Sequence, residues 1–166
     1  MIRPFLTWPD SRLRTAAETV DAVTDDIRAL WTDMVDTMDA MPGQGVGLAA
    51  PQIGVMLRVA VVDASDTRDR RILMANPVIL EAGTEMVKGQ EASPNLPGVS
   101  AAIERPKTVT IRFLNEKGTV DRRELEGLEA RSVQHQIDHL NGRMYFDRLT
   151  KVRRDMLLRK AQKAQR

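Results

Sequence analysis

The chain contains no cysteine. Disulfides, zinc ribbons, Cys-ligated clusters and a thiol nucleophile are therefore excluded. Aromatic residues make up only 4% of the sequence, so a core has to be built mainly from Val, Ile, Leu, Met and Ala. Histidine occurs only twice, as His135 and His139, which confines imidazole chemistry to one place. No apolar run approaches the ~20 residues that a membrane helix needs. Residues 1–10 show neither a long apolar region nor a small-residue cleavage site. A cytoplasmic protein is the simplest expectation.

The 166 residues suit one domain, 1–166. A chain of this size buries roughly 70% of its unfolded surface and needs no covalent staple. Hydrophobic residues at 42% and charged residues at 29% give a globular balance. The net charge of +2 is unevenly spread: residues 151–166 carry +6 and the first 150 residues −4. The sequence reads as a mildly acidic body with a basic C-terminal helix over 150–166.

Between Thr24 and Met41, the apolar residues Ile27, Leu30, Trp31, Met34, Val35 and Met38 recur at helical spacing among aspartates. This predicts an amphipathic helix with Thr24 or an earlier residue as candidate cap, closed by Pro42-Gly43. Residues 55–62 read as a largely buried strand, and 72–80 as extended chain interrupted at Asn76-Pro77. The Pro-, Gly- and Ser-rich stretch 89–106 reads as a long irregular loop. Val109, Ile111 and Phe113 alternate as a strand face, turned at 115–118 into a second hairpin strand over 119–125. Residues 128–140 read as a helix closed by Asn141-Gly142. A last helix starts near Thr150, with Val152, Met156 and Leu157 expected to pack inward. Strands alternate with helices without a βαβ rhythm, so the expected class is α+β, with mainly antiparallel strands around a central helix.

His135-Gln136-Ile137-Asp138-His139 places two imidazoles four residues apart on one helix face. That spacing can hold one metal ion. It is also a common arrangement of structural histidines; the absence of any other His, the apolar helix beneath the pair and the neighbouring segments together lift the metal reading above that. Gly45-Val46-Gly47-Leu48-Ala49-Ala50 matches a dinucleotide fingerprint in letters alone, because it follows a helix and precedes a strand, the reverse of the required context. A tight turn is the bland reading. Backbone that can reach a ligand, with the Gln52 amide beside it, is the functional one.

Taken together, these segments resemble the peptide deformylase family. The resemblance runs from Pro9-Asp10-Ser11-Arg12-Leu13-Arg14 through 45–54, Asn76-Pro77, 91–98, Glu104-Arg105-Pro106 and 134–142 to Asp147-Arg148-Leu149. It implies a peptide deformylase-like fold. It also implies metal-dependent removal of the formyl group from the N-terminal methionine of nascent polypeptides. In the family one Cys and two His hold a divalent metal, usually ferrous iron, which activates a water. A Glu beside the first His is the general base, and a Gln and a backbone N–H beside the Cys stabilise the oxyanion. Carried over, the metal positions are His135, His139 and Ser93. The general-base position is Gln136, the oxyanion positions are Gln52 and Pro94, and Gly45 belongs to the substrate-facing backbone.

Three of these positions depart from the pattern. Where the family reads E-G-C-L-S-V-P-G, this chain reads Glu91-Ala92-Ser93-Pro94-Asn95-Leu96-Pro97-Gly98. Ser93 replaces a soft anionic thiolate with a neutral hydroxyl, a weak ligand. A bound ferrous or zinc ion is therefore expected to be weak or absent. Pro94 has no N–H to donate. Gln136 cannot accept a proton as Glu does. An oxyanion donor is typically worth ~10²–10³ in rate and a general base ~10²–10⁴. Their joint loss overlaps the lower end of enzymatic acceleration, ~10⁶.

The expected protein is thus a deformylase homologue of weak or no activity that keeps a peptide groove. The alternatives are an atypical active hydrolase, in which Glu91 or Asn95 supplies an oxygen ligand, and a non-catalytic partner subunit. Glu91 and Arg105 are expected to pair structurally, Asp138 to be structural, and Val46 to border a side-chain pocket or pack plainly. The basic helix is either a solvated face or a contact to an anionic partner such as ribosomal RNA near the emerging chain. The expected ligand is the N-terminal peptide of a nascent polypeptide. Neither a membrane nor DNA is an expected partner.

Overall fold

The computed structural model describes residues 1–165; Arg166, counted in the basic tail, lies outside them. Helix α1 spans Asp25–Asp39, and the Thr24 hydroxyl caps it by accepting from the Ile27 N–H at 3.4 Å. Asp25 and Asp26 sit in its first turn, where the helix dipole favours negative charge. Its apolar stripe, including Ile27, Leu30, Trp31, Met34 and Met38, is buried. Trp31 satisfies its indole N–H on the Met74 carbonyl at 3.2 Å.

Strands β1 (Gly47–Ala49), β2 (Val59–Val62), β3 (Ile72–Ala82), β6 (Thr108–Leu114) and β7 (Val120–Glu126) form one antiparallel sheet in the order β1-β2-β3-β6-β7. Strands β4 (Met86–Ser93) and β5 (Leu96–Pro106) form a separate antiparallel pair. Helix α2 spans Gly127–Leu140 and helix α3 Lys151–Ala164. The class is α+β, with α2 at the centre: residues 132–140 are all buried. One face of α2 packs with Val62, Met74 and Ile111 of the sheet. The strand pair packs instead with Tyr145, Phe146, Leu157 and Ala161.

Three local readings differ from the sequence expectation. The stretch 89–106 is not an irregular loop but most of the β4–β5 hairpin, turning at Pro94-Asn95. A two-stranded ribbon tolerates Pro and Gly at its tip and edges, and its composition therefore mimics a loop. The strand expected over 55–62 begins only at Val59. Residues 72–80 run on as one strand to Ala82, with a register shift between Ala75 and Val78. Asn76 sits there at φ +50 and pairs its side chain with both backbone groups of Val20, at 2.8 and 2.9 Å. The interruption thus binds the N-terminal arm to the sheet.

On α3, Leu157 and Ala161 are buried, but Val152 and Met156 are exposed, at 69% and 60%. The expectation that they pack inward is therefore wrong. Residues four apart share a face, and the buried pair already turns the adjacent Met156 outward. No helix among the described residues is long and apolar enough to cross a membrane.

Candidate active site

Helix α2 supplies one wall of the cleft, the Gly45–Gln52 segment another, and the β4–β5 hairpin the third. The first approach is close because Gly47 has no side chain: a Cβ there would lie 2.5 Å from Gln136 Nε2. Ser132 fixes the same contact by donating its hydroxyl to the Val46 carbonyl at 3.0 Å.

His135 and His139 present their Nε2 atoms to each other at 3.2 Å. His135 Nδ1–H donates to Glu91 Oε1 at 2.8 Å, which leaves its Nε2 lone pair for the His139 N–H. That tautomer assignment leaves His139 Nδ1 buried without a partner among the described residues. Burial, reinforced by the neighbouring His135 and Arg105, pushes the His139 pKa well below its ordinary value, so the ring is neutral. Tyr145 stacks on His135 at 5.9 Å between centroids.

Glu91 is buried, and four nitrogens surround it. Arg105 donates twice, at 2.6 and 2.8 Å, and Arg131 and His135 once each, at 2.7 and 2.8 Å. Burial alone raises a carboxyl pKa, but here the hydrogen bonds from Arg105 and His135 outweigh it and hold Glu91 at about 2. The Glu91–Arg105 pair expected from sequence is present and buried. Asp138 accepts from Arg105 at 2.9 Å and twice from Arg148, at 2.7 and 2.8 Å. It points into this ion network, consistent with a structural part.

Gln52 was expected to offer its amide to a ligand. Instead its Oε1 accepts from the Ala49 N–H at 2.9 Å. Its Nε2 donates to Asn95 Oδ1 at 2.8 Å and to Ser93 Oγ at 3.4 Å. Both amide hydrogens are therefore spent inside the protein. Asn95, fully buried, donates in turn to the carbonyls of Leu6, at 2.7 Å, and Gln52, at 3.0 Å. Ser93 Oγ donates to Asn95 Oδ1 at 3.0 Å. Sequence reasoning missed Asn95 as the partner of Gln52, because no spacing rule links residues 43 positions apart. It also missed Arg131, although that residue lies one helical turn before His135 and so shares its face.

The fold matches solved deformylases. The structure of a peptide deformylase from Legionella pneumophila superposes with a TM-score of 0.90 at 37% identity, over 99% of this chain and 96% of that one. That from Ehrlichia chaffeensis in complex with actinonin gives 0.90 at 34%, over 99% and 98%. The polypeptide deformylase family model matches residues 2–155. The chain belongs to the polypeptide deformylase family. Among its relatives, a peptide deformylase of Rhizorhabdus wittichii is 38% identical over 99% of this chain and 96% of its own length. A peptide deformylase-like protein of Bradyrhizobium diazoefficiens is 39% identical, over 99% and 95%.

Deformylases are metalloenzymes, and the donor set here can be tested against that. The Nε2 separation of 3.2 Å is near the ~3.3 Å expected for two nitrogens on one tetrahedral ion with bonds of ~2.0–2.1 Å. The third donor fails the test. Ser93 is a neutral hydroxyl already hydrogen-bonded to Gln52 and Asn95, and Glu91 is saturated by cations. Among the described residues no cluster of three or more His, Cys, Asp or Glu can hold an ion. The residues form a two-nitrogen half-site and do not complete the family's metal centre.

A cavity of about 230 Å³ opens beside these residues. Val46, Met41, Pro42 and Leu128 give it apolar wall; Gln136 and Arg131 give it polar wall. Gln136 is buried, its Nε2 donates to Ser132 Oγ at 3.4 Å, and its Oε1 has no partner among the described residues. Strand β1 pairs with β2 on one side only; on its other edge Gln52 takes the Ala49 N–H, and no described strand covers the rest, where an extended chain can add.

Proposed function

We propose that this deformylase-family protein holds N-terminal peptides of nascent chains in its cleft without hydrolysing the formyl group. The observation that carries this reading is the fate of the oxyanion donors. Pro94 has no N–H, and the Gln52 amide is bound to Asn95 and Ser93. Neither of the family's two oxyanion donors is therefore available. Gln136 adds to this, since a neutral amide cannot draw a proton from water. The incomplete donor set supports weak metal binding or none. The free β1 edge and the adjoining cavity support retention of an extended peptide.

The test is hydrolysis of a formyl-methionyl peptide under anaerobic conditions, with ferrous, nickel, cobalt and zinc ions titrated in, alongside calorimetry with the same peptide. The expected result is saturable peptide binding with no turnover above a metal-only blank. Turnover that disappears in His135→Ala or His139→Ala refutes the non-catalytic reading. Absence of binding at millimolar peptide refutes the groove.

We further propose that α3 meets an anionic partner such as the RNA of a ribosome. Its exposed Val152 and Met156 lie among Lys151, Arg153, Arg159, Lys160 and Lys163. Co-sedimentation with ribosomes that weakens steeply with added salt is the expected result. Salt-insensitive association, or none, removes it.

A further inference from the structure

Gly89 on β4 presents no side chain where the Arg131 guanidinium crosses the strand pair. A Cβ at Gly89 would lie 2.7 Å from Arg131 Nε and 2.9 Å from its Cζ. Arg131 Nη1 donates to Glu91 Oε2 at 2.7 Å and to the Ile103 carbonyl at 2.9 Å; Nη2 donates to the Val87 carbonyl at 2.7 Å. Three of its five N–H groups are thus used. The Nε–H and one Nη2 hydrogen have no partner among the described residues. The side chain is 13% exposed and stands on the wall of the cavity.

The charges around it do not cancel. Arg105, Arg131 and Arg148 are linked to only two carboxylates, Glu91 and Asp138. Arg105 is fully buried, and of the three guanidiniums Arg131 alone reaches the cavity. Glu91, the other charged group on the wall, already accepts four hydrogen bonds. A group entering the cavity therefore meets the Arg131 guanidinium with unspent donors, beside a carboxylate whose own bonds are already made. It also meets a buried acceptor, Gln136 Oε1, which has no donor of its own. At about 230 Å³ the cavity is below the ~300–1,000 Å³ of sites for whole small molecules, and suits one side chain.

We propose that Arg131 makes this cavity a subsite for an acidic side chain, so that the groove favours peptides that seat a Glu or Asp side chain there, a preference that N-formyl peptides varied at the first residue can read. The stem of that side chain lies along Val46 and Leu128, its carboxylate takes the free Arg131 donors, and a peptide N–H meets Gln136 Oε1. A free N-terminal ammonium finds no unsaturated carboxylate in the cleft and is disfavoured. This inference rests on the peptide-holding reading above.

The experiment is calorimetry of the full chain with four formyl tripeptides that differ only in the first residue: Glu, Gln, Met and Lys. Formyl-Glu is expected to bind about tenfold tighter than formyl-Gln, the factor given by ~1.4 kcal/mol at a partly exposed charged hydrogen bond. That ratio should shrink as KCl is raised and fall to within twofold in Arg131→Gln. Equal binding of Glu and Gln peptides by the unaltered protein overturns the proposal. So does an Arg131→Gln loss that falls equally on all four, which is the signature of a mere hairpin tether. If that variant does not fold, Arg131→Lys and the salt series decide. Failure of all four peptides to bind overturns the groove reading itself; equal binding overturns only the selectivity.

Discussion

Replacing Asn95 by Ala should loosen the β4–β5 hairpin tip by an amount that can be worked out atom by atom. Asn95 makes four side-chain hydrogen bonds in a fully buried position. Two groups at their far ends keep other partners. The Gln52 carbonyl still accepts the Leu6 N–H at 2.9 Å, and Ser93 Oγ still faces Gln52 Nε2 and the N–H of residue 95. Two groups do not: the Leu6 carbonyl and one hydrogen of the Gln52 amide. A buried polar group left unpaired costs ~1–3 kcal/mol. The Leu6 carbonyl is half-buried and can reach water, which sets it at the low end, whereas Gln52 is 2% exposed and cannot. The loss comes to about 3 kcal/mol, a large share of the ~5–15 kcal/mol that holds a domain together. For a chain of this length that lowers Tm by about 6–12 °C. Differential scanning calorimetry at pH 7, with chelator present throughout, reads it directly. A drop of less than ~2 °C would mean that the amide network does not hold the tip, and the argument that Gln52 is unavailable would fall with it.

Three further outcomes are expected. Glu91 titrates at about 2 in the folded protein, below its ordinary 4.5, so its stabilisation is complete above pH ~4.5 and is lost as pH falls toward 2. This should cost on the order of 3 kcal/mol in urea titrations over that window, and Glu91→Gln should flatten the dependence. Gly47→Ala should lower Tm by about 2–12 °C in a thermal melt, because the new methyl meets Gln136 Nε2 at 2.5 Å and overpacking costs ~1–3 kcal/mol. Restoring the family residues as Ser93→Cys, Pro94→Leu and Gln136→Glu should return formyl-peptide hydrolysis with ferrous ion. Adding Asn95→Ser should raise the rate a further ~10²-fold by freeing the Gln52 amide, and an unchanged rate would show that amide to be free already.

Much of the architecture was legible because it rests on local chemistry. The α1 stripe, the Thr24 cap, the α2 histidine pair and the β6–β7 hairpin all follow from periodicity and capping within a dozen residues. The Glu91–Arg105 pair was legible as opposite charges that the motif order brings together. The β4–β5 ribbon was not, since only pairing across the hairpin distinguishes its Gly- and Pro-rich strands from a loop. The outward turn of Val152 and Met156 was not either, because a short helix with scattered apolar residues offers several stripes. Which stripe packs is decided by the hairpin beneath it, where Leu157 and Ala161 join Val99 and Ile103. The site split along the same line. Set against the family motif, residue identity marked Ser93, Pro94 and Gln136. The engagement of Gln52 by Asn95 is a tertiary fact.

Electrostatics ties these separate departures into one. A dication at the histidine pair needs anions nearby, and the family motif supplies a thiolate and a free glutamate. This chain has a hydroxyl and an amide at those places and adds the Arg131 cation beside Glu91. A metal-bearing version would suffer from Arg131, and a metal-free version without Arg131 would leave Glu91 with one cation fewer against burial that raises its pKa. On the reading proposed above, Ser93, Gln136 and Arg131 form a set that needs no ion. Asn95 fits the same logic at the other end of the hairpin, fixing Gln52 and Leu6 by neutral hydrogen bonds. Chelator should accordingly leave the melting temperature unchanged. A fall in Tm of more than ~2 °C on adding it would show that a bound ion, and not the arginine–amide network, keeps the cleft closed.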